Sequence, residues 1–216
     1  MRKEHLIDGA IGIAAALAII GAGGNWLHYI FKPAATILIF LRLAMVTQPA
    51  HFGGWRATKG ALILSLVGDV FLMLPKEVSP AGFELGLASF LLAHLWFLRA
   101  FTRDARLFGK PLPLIVLLAV SAVNLGVLWP TIPGALQLPV LVYMLCLVAM
   151  CAQAASRALQ LGTSGSRLSA AGALLFLVSD TLIAYNKFYA PIPASPLLVL
   201  GTYYLALYLI ARGAQR

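Results

Sequence analysis

The sequence predicts an all-α fold: a polytopic membrane helical bundle of about eight transmembrane helices, with residues 1–216 forming a single integral membrane domain. Three observations predict it. Apolar residues make up 61% of the chain and charged residues 11%, against about 45–50% and about 25% in a soluble domain. The 16 basic and 7 acidic side chains are too few to coat a water-facing globule of this size. Apolar runs of about 20 residues recur, each long enough to cross a ~30 Å hydrocarbon layer at about 1.5 Å per residue. The runs are also continuous, as at 112–128, where barrel strands would alternate in segments of about 10 residues.

Turn chemistry delimits the spans in order. The first, 9–24, follows Arg2 and Lys3, but Glu4 and Asp8 spoil a signal-peptide start and no clean cleavage site precedes the polar stretch, so it reads as a retained helix. Gly23-Gly24-Asn25 separates it from 29–47, and Gly53-Gly54 introduces 58–74. Pro75 to Pro80 leads to 82–101, and Gly109-Lys110-Pro111 to 112–129. Pro130 to Gly134 precedes 136–155, Gly162 to Ser166 precedes 168–187, and Pro191 to Pro196 opens 196–212.

Eight spans put both termini on one side. Thirteen of the 16 Lys and Arg residues then share the side of the termini, leaving only Lys32, Lys76 and Lys187 opposite. The positive-inside bias therefore predicts cytoplasmic termini, in the plasma membrane or, for a bacterial source, the inner membrane. Trp26, Tyr29, Trp129, Tyr185 and Tyr189 fall near the outer interface and Trp55 near the inner one. The net charge of +9 is scattered over loops rather than massed, so it reads as a topology signal and not as a nucleic-acid surface. Cys146 and Cys151 lie on different faces of one helix, which excludes a disulfide between them.

Charges within spans are expensive, about 2.5–3.5 kcal/mol for a centred Asp on insertion scales. Asp69 in the third span and Asp180 in the seventh lie at similar distances from the outer ends of their spans, and are expected to meet. Ser89, Asn124, Tyr143, Ser179 and Tyr203 or Tyr204 fall at comparable depth as a polar layer. Lys32, Glu84, Asn186 and Lys187 are expected to rim that layer, with His94 about 5–10 Å deeper by the helical rise. The first span has no strongly polar residue after Asp8 and belongs at the periphery. Leu64 to Asp69 echoes Leu175 to Asp180, which either marks a 4+4 parallel internal repeat or is a chance match of apolar strings.

A lone membrane Asp is commonly a partner for a Lys or a helix–helix tie, and Lys32 and Lys187 could simply snorkel. Two acids at matched depth among polar neighbours favour function. No Gly-x-Ser-x-Gly elbow, His-Glu-x-x-His helix or phosphate loop occurs, and no cofactor is called for. Two carboxyls sharing a low-dielectric site cannot both be charged at low cost, so one is expected neutral and one anionic, a general acid beside a general base. That pairing suits reactions through an oxocarbenium ion, such as acetal or enol ether hydrolysis. Rival readings are a metal-dependent, ceramidase-type lipid hydrolase using His94, Asp69 and Asp180, a small proton-coupled transporter, and a regulatory protein without activity.

The strings Ser65-Leu66-Val67-Gly68-Asp69-Val70-Phe71-Leu72-Met73-Leu74, Phe83-Glu84-Leu85-Gly86-Leu87 through His94, and Leu175 to Ala184 with Asn186-Lys187-Phe188 resemble the YhhN family, the lysoplasmalogenases. Lys32-Pro33 and Thr202-Tyr203-Tyr204-Leu205-Ala206 extend the resemblance over essentially the whole chain. The glutamine usual in the family after the Tyr-Tyr-x-Ala string is Leu207 here. The resemblance implies an integral membrane hydrolase that cleaves the vinyl ether of a lysoplasmalogen to a fatty aldehyde and glycerophosphoethanolamine or glycerophosphocholine. On that reading Asp69 and Asp180 are catalytic. Lys32 or Lys187 engages the lipid phosphate, and Asn124, Ser89 or the tyrosines hold water.

Overall fold

The computed structural model describes residues 2–22, 24, 26–45, 53–75 and 77–215. Gly23, Asn25, Lys76 and Arg216, used above as turn or charge signals, lie outside the described residues, as do the side chains of Arg2, Lys3 and Glu4. The described residues form α1 (Arg2–Ile20), α2 (Trp26–Ala44), α3 (Trp55–Met73), α4 (Gly82–Phe101), α5 (Leu112–Leu128), α6 (Gly134–Leu161), α7 (Ser164–Phe188) and α8 (Ser195–Gly213), and contain no strand. Helix boundaries follow from local chemistry. Gly162 takes the left-handed conformation, φ 65°, that ends α6. The Thr163 hydroxyl accepts from the Ser166 N–H to cap α7, and α5 and α8 carry proline in their first turns.

Six helices are long and apolar enough to cross a membrane: α2, α4, α5 with its 3-10 extension to Thr131, α6, α7 and α8. The protein is thus a multi-pass integral membrane protein. Of the eight spans expected, the other two fall short for visible reasons. α1 opens on a charged stretch in sequence, Arg2, Lys3, Glu4 and Asp8, and α3 carries Arg56, Lys59 and Asp69.

Helix contacts close a ring in the order α2, α3, α4, α6, α7, α8 and back to α2, with α1 outside against α2 and α8, and α5 outside against α6 and, lightly, α7. The peripheral place of α1 agrees with its lack of strongly polar residues after Asp8. The seam between α7 and α8 is tight because its residues are small: a Cβ on Gly172 would stand 2.7 Å from the Ala206 carbonyl oxygen. Phe90, Phe97, Phe101 and Phe176 are buried in the bundle core.

α6 has 28 residues, about 42 Å at the helical rise, and outlasts its predicted end at 155. The last turns of α6 grip the loop that follows α4. Gln153, wholly buried, donates to the carbonyls of Phe101 at 3.0 Å and Arg106 at 3.3 Å and accepts from the Phe108 N–H at 2.7 Å. Arg157 holds Asp104 through two 2.7 Å bonds. Gln153→Leu strands those buried backbone groups and is expected to lower stability by about 1–3 kcal/mol, read by thermal unfolding in detergent.

Candidate functional site

α7 presents Asp180 to the space between α4 and α6. Its Oδ2 accepts a 2.6 Å hydrogen bond from the Tyr143 hydroxyl of α6, and His94 Nε2 of α4 lies 3.8 Å from the same oxygen. The His94 ring is wholly buried and edge-on to Tyr143 and Phe176, at 5.1 and 4.9 Å between centroids. Neither ring nitrogen has a hydrogen-bond partner among the described residues. A buried imidazole so placed calls for a water or a substrate atom to complete it.

Two clefts meet at this carboxylate. The first lies between α3, α4, α6 and α7 and is lined mainly by apolar side chains including Leu72, Leu87 and Phe90. The second lies between α5, α6 and α7. Val140, Tyr143, Asp180 and Ala184 line both. Through Leu72, Phe83 and Phe188 the first cleft borders a wider mouth, whose polar lining is Glu84, Lys187, Ser79 and Thr131. The Lys187 ammonium stands 3.8 Å over the Phe83 ring, a cation–π contact that sets it at the edge of the mouth.

Asp69 has a different setting. Its Oδ2 accepts from the Thr36 and Tyr203 hydroxyls, both at 2.7 Å, and Lys32 Nζ lies 3.7 Å from Oδ1. Lys32 and Thr36 are one turn apart on α2, so both face α3. The carboxylate is 1% exposed. The Tyr204 hydroxyl donates to the Lys32 carbonyl at 3.4 Å.

The face-to-face pair expected from depth is not formed: among the described residues no hydrogen bond or ion pair joins Asp69 to Asp180. α3 and α7 occupy opposite places in the ring. The Phe176 ring lies between the two settings, 5.5 Å from Tyr203 and 4.9 Å from His94. Three other expectations change with this. Lys32 neither rims the layer nor snorkels, because Asp69 holds it inside. His94 stands beside Asp180, with Nε2 3.8 Å from the carboxylate, rather than apart from it. Ser89 and Ser179 face neighbouring backbone, donating to Leu64 O at 2.7 Å and Val199 O at 3.0 Å, and tie helices together.

Asn124 lines the second cleft and accepts from the Tyr185 hydroxyl at 3.0 Å. Asn186 is exposed and accepts from the Ile192 N–H at 2.9 Å, fixing the turn before α8. Glu84 and Lys187 rim the mouth as expected. Thr36, the partner of Asp69, was not anticipated, although its place one turn from Lys32 carried the signal. Tyr143, expected in the polar layer among the tyrosines that hold water, is instead the direct partner of Asp180. Its signal was spacing: 37 residues separate it from Asp180, as many as separate Lys32 from Asp69.

The family model of the YhhN family matches residues 27–214. The chain belongs to the YhhN family. Among relatives of this YhhN protein, lysoplasmalogenase TMEM86B of Sus scrofa is 35% identical over 190 residues, covering 87% of this chain and 75% of the relative. Lysoplasmalogenase TMEM86A of Homo sapiens is 34% identical over 172 residues, covering 76% and 67%. A lysoplasmalogenase of Mycobacterium bovis is 32% identical over 170 residues, covering 74% and 61%. No solved structure matches the chain. The metal-dependent alternative needed His94, Asp69 and Asp180 around one ion. Among its described residues this YhhN protein gathers no three His, Cys, Asp or Glu side chains suited to a metal, because Asp69 is tied on the far side of Phe176.

Proposed function

We propose that this protein hydrolyses the vinyl ether bond of lysoplasmalogens, and that Asp180 is the acid that does so. The observation that carries the reading is one carboxyl at the junction of two clefts, beside a tyrosine and an unpartnered histidine, in a chain whose relatives are named lysoplasmalogenase. The Asp180 carboxyl gives its proton to the alkenyl carbon remote from oxygen, leaving an oxocarbenium ion next to the new carboxylate. Water hydrogen-bonded to His94 Nε2 adds to the cationic carbon and passes its proton to Asp180, restoring the acid. The hemiacetal then collapses, its hydroxyl proton moving to the glycerol oxygen, to fatty aldehyde and the glycerophospho-alcohol. One carboxyl thus serves as acid and base in turn. Tyr143 orients it from Oδ2.

The mouth suits a zwitterionic headgroup, with Lys187 for the phosphate and Glu84 for the ammonium. With cytoplasmic termini, as the charge bias favours, the mouth opens on the opposite face. Asp69 acts as a brace rather than a reagent. We place it as the counterpart of Asp180 in a duplicated four-helix unit, on the matching 37-residue spacings and the matching outer positions of α1 and α5.

The test is hydrolysis by the purified protein in detergent. Fatty aldehyde is expected from lysoplasmalogen and none from the saturated ether or ester analogues. Ester cleavage with no aldehyde formation would overturn the reading.

A further inference from the structure

The second cleft has no part in the scheme above, yet it opens onto the same carboxylate. We propose that the cleft between α5, α6 and α7 is the binding site for the hydrocarbon chain of the substrate, and the route by which the fatty aldehyde leaves sideways into the bilayer. The inference rests on the reading of Asp180 as the reacting acid.

The chemistry of the substrate fixes the geometry. A lysoplasmalogen has one chain, and the scissile vinyl ether sits where that chain joins the polar glycerol. A carboxyl acting on the bond therefore needs a polar approach on one side and an apolar channel on the other. Asp180 has both. The first cleft connects it to the Glu84 and Lys187 mouth. The second leads away past Leu125, Leu128, Met144, Leu147 and Leu177. Its polar lining includes Asn124, bonded to Tyr185 across α5 and α7 at 3.0 Å. That bond is a direct tie in a contact that is otherwise sparse. α5 buries only Ser121 and Leu128, so the outer wall of the cleft is one lightly held helix with lipid behind it. Met144 and Leu125 also line a groove on the outer surface of α5 and α6. They therefore stand where the channel meets the bilayer.

Chain-length selectivity tests this. Met144→Trp and Leu125→Trp, at partly exposed positions that tolerate bulk, are expected to lower the ratio of kcat/KM for long over short alkenyl chains about tenfold. Met144→Ala is expected to hold or raise it. Leu87→Trp, in the first cleft, is expected to slow all chain lengths alike. A ratio unmoved by the α5 and α6 variants and shifted by Leu87→Trp would overturn the proposal and put the chain in the first cleft. A second readout does not need turnover: a saturated-ether lysophospholipid with a diazirine at the chain end, photolysed in wild-type protein. Adducts on α5 or on α6 near Met144 support the proposal, and adducts confined to α3 and α4 overturn it. If the protein hydrolyses no lysoplasmalogen yet labels on α5, the chain site stands and only the functional reading falls.

Discussion

Asp180→Asn is expected to lower vinyl ether hydrolysis by about a thousandfold, the middle of the range for a lost general acid, while leaving the fold intact. The amide is nearly isosteric and still accepts the 2.6 Å bond from Tyr143. The side chain borders clefts rather than a packed wall. What it loses is a proton acidic enough to pass to carbon. Because protonation of the alkene creates the cation, no other step proceeds without it, and the loss should fall in kcat with KM little changed. His94→Gln keeps a hydrogen-bonding side chain and is expected to cost less. The comparison that matters is with the unfolding temperature of the same samples. An Asp180→Asn protein with wild-type melting and near-wild-type aldehyde release would remove Asp180 from the mechanism.

The membrane class, the helix count and the two acids were legible from composition, run length and the high cost of an intramembrane carboxylate. What a single sequence does not encode is the order of helices around the ring. Asp69 and Asp180 were joined incorrectly, since nothing in either string says that α3 and α7 stand opposite. Lys32 shows the same limit. Its position near an interface allowed snorkelling, and only the packing of α2 against α3 turns the ammonium inward to Asp69. Ser89 and Ser179 looked like cavity hydroxyls for want of knowing that Leu64 and Val199 offer carbonyls across tight seams. Lys32 and Tyr143 stand at the same distance in sequence before the acids they contact, a spacing the strings around the acids do not display.

The division of labour between the two carboxylates makes a sharper claim about Asp69 than about any other residue. If Asp69 braces the bundle, its charge is needed only because Lys32 is there. Asp69→Asn leaves a buried ammonium with no counter-charge, and Lys32→Met leaves a buried carboxylate with only hydroxyl partners. Breaking a buried pair from one side costs about 3–5 kcal/mol, so each single variant is expected to melt about 10 °C below wild type. The double variant Lys32→Met, Asp69→Asn removes both charges and keeps an amide oxygen to accept from Thr36 and Tyr203, whose hydroxyls now hold Asp69 at 2.7 Å. Its melting should return to within a few degrees of wild type, as uncharged replacements of buried pairs are often neutral. Its aldehyde release should return as well, because Asp180, Tyr143 and His94 lie on the other side of Phe176. A double variant that is stable but inactive would show that the Asp69 carboxylate takes part in chemistry after all.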